Sequence, residues 1–90
     1  MLIMSEQEVK ETKKHKVKEY GTQSCPWCIR AKEFFEENNV EYEFIDVGTD
    51  REAAMEMIEK TGQRGVPVIE IDGEIIVGFD EPKIREKLGL

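Results

Sequence analysis

The sequence predicts one α/β domain in which four strands form a mixed sheet and three helices flank it. Three observations carry this prediction. Apolar residues follow a period of two in four segments and a helical period in three others. Along the chain these segments run strand, helix, strand, helix, strand, strand, helix. The length of 90 residues fits one small domain, and an apolar content of 39% is enough for a core.

The first half of the chain predicts two strands joined by a helix. Residues 16–20 alternate between polar and apolar and end at Gly21. The helix is expected over residues 26–38, because Pro26 suits a first turn, where the missing N–H would have no intrahelical partner. Residues 40–47 alternate again. A helical crossover makes the two strands parallel, with a right-handed connection.

The second half predicts a helix, a hairpin and a last helix. Asp50 is a suitable N-cap for the helix that follows it. Asp72-Gly73 lies between two apolar runs, which is typical of a tight turn between antiparallel strands, and we expect no further role for it. The expected ranges are 51–60 for the helix, 66–71 and 74–77 for the strands, and Asp80 onward for the last helix.

Composition excludes several classes of protein. The formal charge of −7, from 20 acidic and 13 basic residues, argues against a nucleic-acid binder, which needs a basic face. No apolar run approaches the length of a membrane span or a signal peptide, so we expect a cytoplasmic protein without a membrane partner. Residues 1–15 are expected to form a charged, flexible N-terminal extension to a domain over residues 16–90.

The two cysteines, Cys25 and Cys28, are the candidate chemical centre. They are too close together to staple distant segments, and in a reducing compartment such a pair is typically catalytic or metal-binding. Cys25 falls at the N-terminus of the first predicted helix, where unpaired N–H groups and the helix dipole stabilise a thiolate. We therefore predict Cys25 as the nucleophile and Cys28 as the resolving thiol. Pro26 stiffens this active-site loop, and Trp27 is expected to shield the pair.

Three alternatives to a redox pair remain open. A structural zinc site within one chain needs four ligands, and the only histidine, His15, lies in the predicted extension. We therefore predict no metal ligand set within one chain. A zinc ion or iron–sulfur cluster held between two chains through Cys25 is a carrier function of another class. A pair of inert buried thiols is the third alternative.

Beyond the cysteines, the chain resembles the glutaredoxins of the thioredoxin superfamily from about Lys16 to Leu90. The resemblance is carried by Tyr-Gly-Thr-Gln-Ser-Cys-Pro-Trp-Cys at residues 20–28, Thr-Gly-Gln-Arg-Gly-Val-Pro at residues 61–67 and Gly-Phe-Asp at residues 78–80. It implies a thioredoxin-like fold with strand order 2-1-3-4. It also implies a thiol–disulfide oxidoreductase that reduces protein or small-molecule disulfides and takes part in cellular electron transport.

The resemblance also implies a binding site. Val66-Pro67 would be a cis peptide, and Val66 would offer its backbone N–H and C=O to an extended substrate beside Cys25. Gly78 would allow that substrate to approach closely, with Phe79 next to it. Asp80, at the start of the last helix, would hold the γ-glutamyl end of glutathione. Arg64 is the expected contact for an anionic substrate.

Two signatures within the resemblance point to different electron sources. Glutaredoxins usually carry lysine or arginine three residues before the first cysteine, where this chain has Thr22. The Gly78-Phe79 pair resembles the redoxins that thioredoxin reductase recharges, although those usually have arginine where Asp80 stands. The expected partners are therefore disulfide-containing proteins and either glutathione or thioredoxin reductase. We expect a monomer without a tightly bound cofactor, and glutathione is a candidate reductant.

Overall fold

A computed structural model describes residues 15–90, and the predicted extension over residues 1–14 lies outside the described part. The elements follow the predicted order. They are β1 (Val17–Gly21), α1 (Pro26–Glu37), β2 (Glu43–Asp46), α2 (Arg51–Thr61), β3 (Val68–Ile71), β4 (Glu74–Val77) and α3 (Glu81–Leu88). No helix in residues 15–90 is long and apolar enough to cross a membrane.

The sheet has the strand order β2-β1-β3-β4. Strand β1 pairs with β2 in parallel and with β3 antiparallel, and β3 pairs with β4 antiparallel. The predicted thioredoxin-like fold, with a mixed sheet and three helices, is therefore confirmed. Strand β1 is central, and its last residue, Gly21, leads directly into the loop that carries the cysteines.

Two apolar clusters fill the domain. The larger joins β1, β3 and β4 to helices α1 and α3, and its most buried side chains include Phe35, Ile69 and Ile84. The smaller contains Tyr20, Met57 and Val68 and packs helix α2 against the sheet. Because alternate residues of a strand face opposite ways, Val17 and Tyr20 of β1 belong to different clusters.

Two strands are shorter than the sequence predicts. Strand β2 begins at Glu43 rather than at residue 40, because the N–H of Val40 donates to the carbonyl of Phe35 and ends helix α1 instead. Strand β3 begins at Val68 rather than at residue 66. Pro67 has no N–H to donate to a neighbouring strand, so pairing starts at the residue after it.

The Asp72-Gly73 turn does more than the sequence predicts. Both residues have positive φ, 51° and 90°, as the hairpin turn of this dipeptide requires. In addition, Asp72 Oδ1 accepts a hydrogen bond from the backbone N–H of Lys16, and Asp72 Oδ2 lies 2.7 Å from His15 Nδ1. The turn therefore also holds the residues that enter strand β1.

Candidate active site

The junction between β1 and α1 places the two cysteines one helical turn apart. Cys25 is the N-cap residue, with extended backbone angles, and Pro26 follows in the first turn. The backbone N–H of Cys28 donates to Cys25 Sγ over 3.3 Å. This is the contact that the side chain of an N-cap residue makes with the first turn of its helix.

The two thiols differ in access to solvent. Cys25 is partly exposed, whereas Cys28 has no exposed surface. Burial, together with the hydrogen bond to Cys25 and the negative charge of Glu19, raises the pKa of the Cys28 thiol to about 12. One sulfur can therefore meet a substrate directly, and the other is held behind it as a thiol.

Gly21 makes room for the buried thiol. A Cβ atom at residue 21 would lie 2.7 Å from Cys28 Sγ and 3.2 Å from Cε1 of Phe44. No side chain fits at that separation, so glycine lets the helix seat Cys28 directly on strand β1.

A shallow groove of about 270 Å³ is lined by Trp27 and by four residues from the loops around β3 and β4: Val66, Pro67, Gly78 and Phe79. The Val66–Pro67 peptide is cis, as the resemblance implies. Gly78 has a φ of +85°, and its N–H donates to the carbonyl of Pro67 over 2.8 Å. Trp27 is 62% exposed and its ring centroid lies 6.4 Å from that of Phe79.

Known proteins are similar to this chain over most of its length. The family model described as Glutaredoxin matches residues 17–76. The chain belongs to the glutaredoxin family. A glutaredoxin-like 8.6 kDa protein in the rubredoxin operon of Clostridium pasteurianum is 43% identical over 68 residues, which cover 76% of this chain and 91% of that protein.

Solved structures give the same family and fold. A glutaredoxin from Methanosarcina mazei is 32% identical, with a TM-score of 0.73, over 83% of this chain and 79% of its own. A thioredoxin-like protein is 34% identical, with a TM-score of 0.74, over 79% of this chain and 97% of its own. Membership of the glutaredoxin family supports thiol–disulfide oxidoreductase activity in general.

Two predicted binding residues are not among the residues that line the groove of this glutaredoxin. Arg64 lines a different cavity, together with Arg51, Met55, Ile58 and Glu59. Asp80 is the N-cap of α3, and its Oδ1 accepts a hydrogen bond from the N–H of Lys83 over 3.3 Å. Trp27, which lies between the two cysteines in sequence, lines the groove, whereas Arg64 lines a different cavity and Asp80, next to Phe79 in sequence, caps α3.

A metal ion is held by several side chains that are grouped closely together. Residues 15–90 contain no cluster of three or more histidine, cysteine, aspartate or glutamate side chains suited to an ion. His15, the only histidine, lies beside Asp72 at the hairpin turn.

Glu19 is a buried charged residue that the sequence analysis does not predict. It has no exposed surface, and neither of its carboxylate oxygens has a hydrogen-bond partner within residues 15–90. The alternation of β1 indicates that Glu19 is buried. Val17 is a core residue, and Glu19, two positions later, must face the same side of the sheet. A charged residue at a core position is rare unless it is paired or has a function.

Proposed function

We propose that this glutaredoxin reduces protein disulfides by a dithiol mechanism in which Cys25 is the nucleophile and Cys28 the resolving thiol. One observation carries the proposal. The partly exposed sulfur of Cys25 accepts a hydrogen bond from the N–H of Cys28, whose own sulfur is buried one turn behind it. This asymmetry suits a pair in which one sulfur attacks the substrate and the other completes the reaction.

The reaction has two exchange steps. The Cys25 thiolate attacks one sulfur of the substrate disulfide, which forms a mixed disulfide and releases the first substrate thiolate. Cys28, as a thiolate, then attacks Cys25 Sγ, which forms the Cys25–Cys28 disulfide and releases the second substrate thiolate. Two electrons pass from the two cysteines to the substrate, and solvent protonates the released thiolates.

The groove is proposed to hold an extended stretch of substrate. Pairing of β3 with its neighbours begins at Val68, so the ladders do not use Val66. The backbone of Val66 is then free to pair with a peptide in the manner of strand addition. Trp27 and Phe79 supply apolar walls, and Gly78 has no side chain to obstruct the peptide.

For the electron source, we propose that thioredoxin reductase recharges this protein better than glutathione does. Glutaredoxins use glutathione, a small anionic peptide. None of the five groove residues is charged, and Thr22 stands where the family usually has a basic residue. Contacts of Arg64 and Asp80 with substrate or glutathione, a monomeric state and a cytoplasmic location remain predictions.

Turnover assays test both parts of the proposal. We expect Cys25→Ser to abolish reduction of a peptide disulfide, Cys28→Ser to stop at the mixed disulfide, and Ser24→Ala, on the exposed neighbour of Cys25, to retain activity. Each protein is assayed with NADPH and thioredoxin reductase, and separately with glutathione and its reductase. Full activity in Cys25→Ser would contradict the mechanism, and faster turnover with glutathione would contradict the electron source.

Anaerobic purification tests the carrier alternative. The expected product is a monomer without iron or zinc. A dimer that holds an iron–sulfur cluster or a zinc ion, and that loses it in Cys25→Ser, would favour a carrier over the proposed reductase.

A further inference from the structure

The loop between α2 and β3 is fixed by hydrogen bonds within itself and to the end of α2. Helix α2 ends at Thr61, and the N–H of Gly62 donates to the carbonyl of Ile58 over 2.7 Å. Thr61 Oγ1 lies 2.8 Å from the carbonyl oxygen of Met57, and it accepts the N–H of Gln63 over 3.3 Å. The backbone of Gln63 is therefore held against the last turn of the helix.

The side-chain amide of Gln63 hydrogen-bonds both backbone polar groups of Gly65. Its Oε1 accepts the N–H of Gly65 over 2.5 Å, and its Nε2 donates to the carbonyl of Gly65 over 3.2 Å. An amide carries an acceptor and a donor on one planar group, so one side chain satisfies both. This pair of hydrogen bonds is called the Gln63–Gly65 contact below.

The lack of a side chain at residue 65 makes this contact possible. A Cβ atom there would lie 2.8 Å from Oε1 of Gln63 and 3.8 Å from its Cδ. Apart from its chain neighbours, it would meet no other atom within 4 Å in the part of the chain that the structure describes. The φ of Gly65 is not positive, so the backbone itself does not require glycine. The residue that requires it is Gln63.

The contact also sets the direction of the Val66 N–H. The carbonyl of Gly65 and the N–H of Val66 belong to one planar trans peptide, in which they point in opposite directions. A donor held on that carbonyl therefore fixes the N–H on the other side of the plane. The N–H of Gly65 belongs to the preceding plane. One amide thus restrains both planes around a glycine, the residue with the greatest backbone freedom.

Val66 is the groove residue whose backbone is available to a peptide. It lines the groove, and its N–H and C=O make no hydrogen bond within residues 15–90. On its other side, the carbonyl of Pro67 accepts the N–H of Gly78 over 2.8 Å. The loop is therefore held at Gly65 and at Pro67, and Val66 lies between these two points with its own donor unpaired.

We propose that Gln63 is a positioning residue, whose amide orients the Gly65–Val66 peptide so that the N–H of Val66 donates to a backbone carbonyl of the substrate. The proposal rests on the extended peptide binding proposed above. Gln63 is not among the residues that line the groove, so it acts through Val66. Without the amide this peptide plane can rotate. A substrate with a peptide backbone then loses an oriented donor, whereas a disulfide without peptide groups loses nothing.

Two disulfides with the same leaving group test this difference. One is dithiobis-nitrobenzoate, which has no peptide groups. The other is a short uncharged peptide whose single cysteine is joined to thionitrobenzoate. When Cys25 of the pre-reduced protein attacks, it forms a mixed disulfide, and coloured thionitrobenzoate leaves from either one. The dependence of this rate on substrate concentration gives kcat/KM for the exchange.

Gln63→Ala should lower kcat/KM for the peptide about three- to tenfold, as loss of one hydrogen bond typically does. It should leave kcat/KM for dithiobis-nitrobenzoate unchanged. Glu43→Gln, which alters an exposed carboxylate on the edge strand β2, is the control and should change neither value. A peptide value that does not fall, or equal losses with both disulfides, would overturn the proposal.

Gly65→Ala tests the same contact from its other partner. The new Cβ displaces Oε1 of Gln63, so we expect the same selective loss with the peptide. Because each substitution removes one shared contact, the double variant Gln63→Ala/Gly65→Ala should be no worse than either single variant. Losses that multiply would overturn the proposal, since the two residues would then contribute separately.

Gln63→Glu separates the two hydrogen bonds. A carboxylate still accepts the N–H of Gly65, but it has no donor for the Gly65 carbonyl, which lies in the plane of the Val66 N–H. We therefore expect the same loss with the peptide as in Gln63→Ala. Wild-type kcat/KM for the peptide in Gln63→Glu would show that the carbonyl contact does not orient Val66, and it would overturn the proposal.

Peptides with single backbone esters give a readout that a merely structural role would not change. An ester carbonyl is a weaker acceptor than an amide carbonyl, so an ester at one position should lower kcat/KM for the wild type severalfold. The same ester should have little effect on Gln63→Ala, because the hydrogen bond is already lost. No ester effect in the wild type, or equal effects in both proteins, would overturn the proposal. Failure of the dithiol function looks different, because the wild type would then release thionitrobenzoate rapidly from neither disulfide.

Discussion

Gly21 lies directly against Cys28, with no space between them for even one methyl group. A Cβ at residue 21 would be 2.7 Å from the sulfur and 3.0 Å from Cβ of Cys28. The resolving thiol is thus seated on the backbone of the central strand, and its position depends on a residue with no side chain.

Gly21→Ala should therefore damage both folding and chemistry. The added methyl must displace α1 or the Phe44 ring, and overpacking of this kind typically costs about 1–3 kcal/mol. Urea unfolding measures that loss, and reduction of a peptide disulfide should slow. Gly48→Ala is the control, because residue 48 is exposed. The atom nearest to a Cβ added there is a carboxylate oxygen of Asp46, at 3.1 Å. Equal stability of the wild type and Gly21→Ala would show that α1 can move away from β1 at this contact without loss of stability.

Alkylation should distinguish the two thiols in the native protein. Cys25 is partly exposed and its sulfur accepts an N–H, whereas Cys28 is fully buried. Iodoacetamide at neutral pH should label Cys25 at least tenfold faster than Cys28, because the reagent reacts only with a thiolate that is accessible to it. Peptide mass spectrometry gives the two rates, and unfolding in guanidinium should bring them together. Equal labelling of the native thiols would contradict the assigned roles.

Much of this site follows from local patterns in the sequence. Pro26 in a first helical turn and Asp-Gly between two alternating runs depend only on neighbouring residues, and both predictions agree with the structure. The position of Cys25 at a helix N-terminus also follows from the change of period at Gly21. These features need no knowledge of distant segments.

What the sequence could not predict depends on long-range packing. Arg64 lines a cavity with α2 rather than the groove, because the loop after α2 directs it there. Asp72 holds His15 and Lys16, which are more than fifty residues away in sequence. From the sequence alone, Glu19 is expected to be a polar, solvent-facing residue of its strand. Its burial follows only from the packing of α1 over that face of the sheet.

The stability of the protein should fall as pH rises through the titration of Glu19. Its pKa is raised by burial from 4.5 to about 8, so between these values the folded chain binds more protons than the unfolded chain. The free energy of unfolding then decreases with rising pH. The full difference corresponds to about 3–5 kcal/mol, which is large against ordinary domain stability.

Glu19→Gln should remove this pH dependence, because the amide cannot ionise. Urea unfolding followed by circular dichroism at pH 5, 7 and 9 (roughly spanning that titration) gives the comparison. The stability of Glu19→Gln relative to wild type should increase across the series, whereas Glu43→Gln should run parallel to the wild type. Parallel curves for Glu19→Gln and wild type would show that Glu19 keeps an ordinary acidity in the folded protein.

Asp80 combines a structural role with a proposed binding role, and two substitutions separate them. As N-cap of α3 it accepts the N–H of Lys83, a contact that asparagine can replace and alanine cannot. Asp80→Ala should therefore lose about 0.5–2 kcal/mol of stability, while Asp80→Asn should lose little. If the carboxylate also holds the ammonium end of glutathione, both variants should raise KM for a glutathionylated peptide severalfold, since a charge-assisted hydrogen bond is lost. Thermal unfolding and steady-state kinetics on the same preparations give both quantities. An unchanged KM in Asp80→Asn, with the expected loss of stability in Asp80→Ala, would restrict Asp80 to capping the helix.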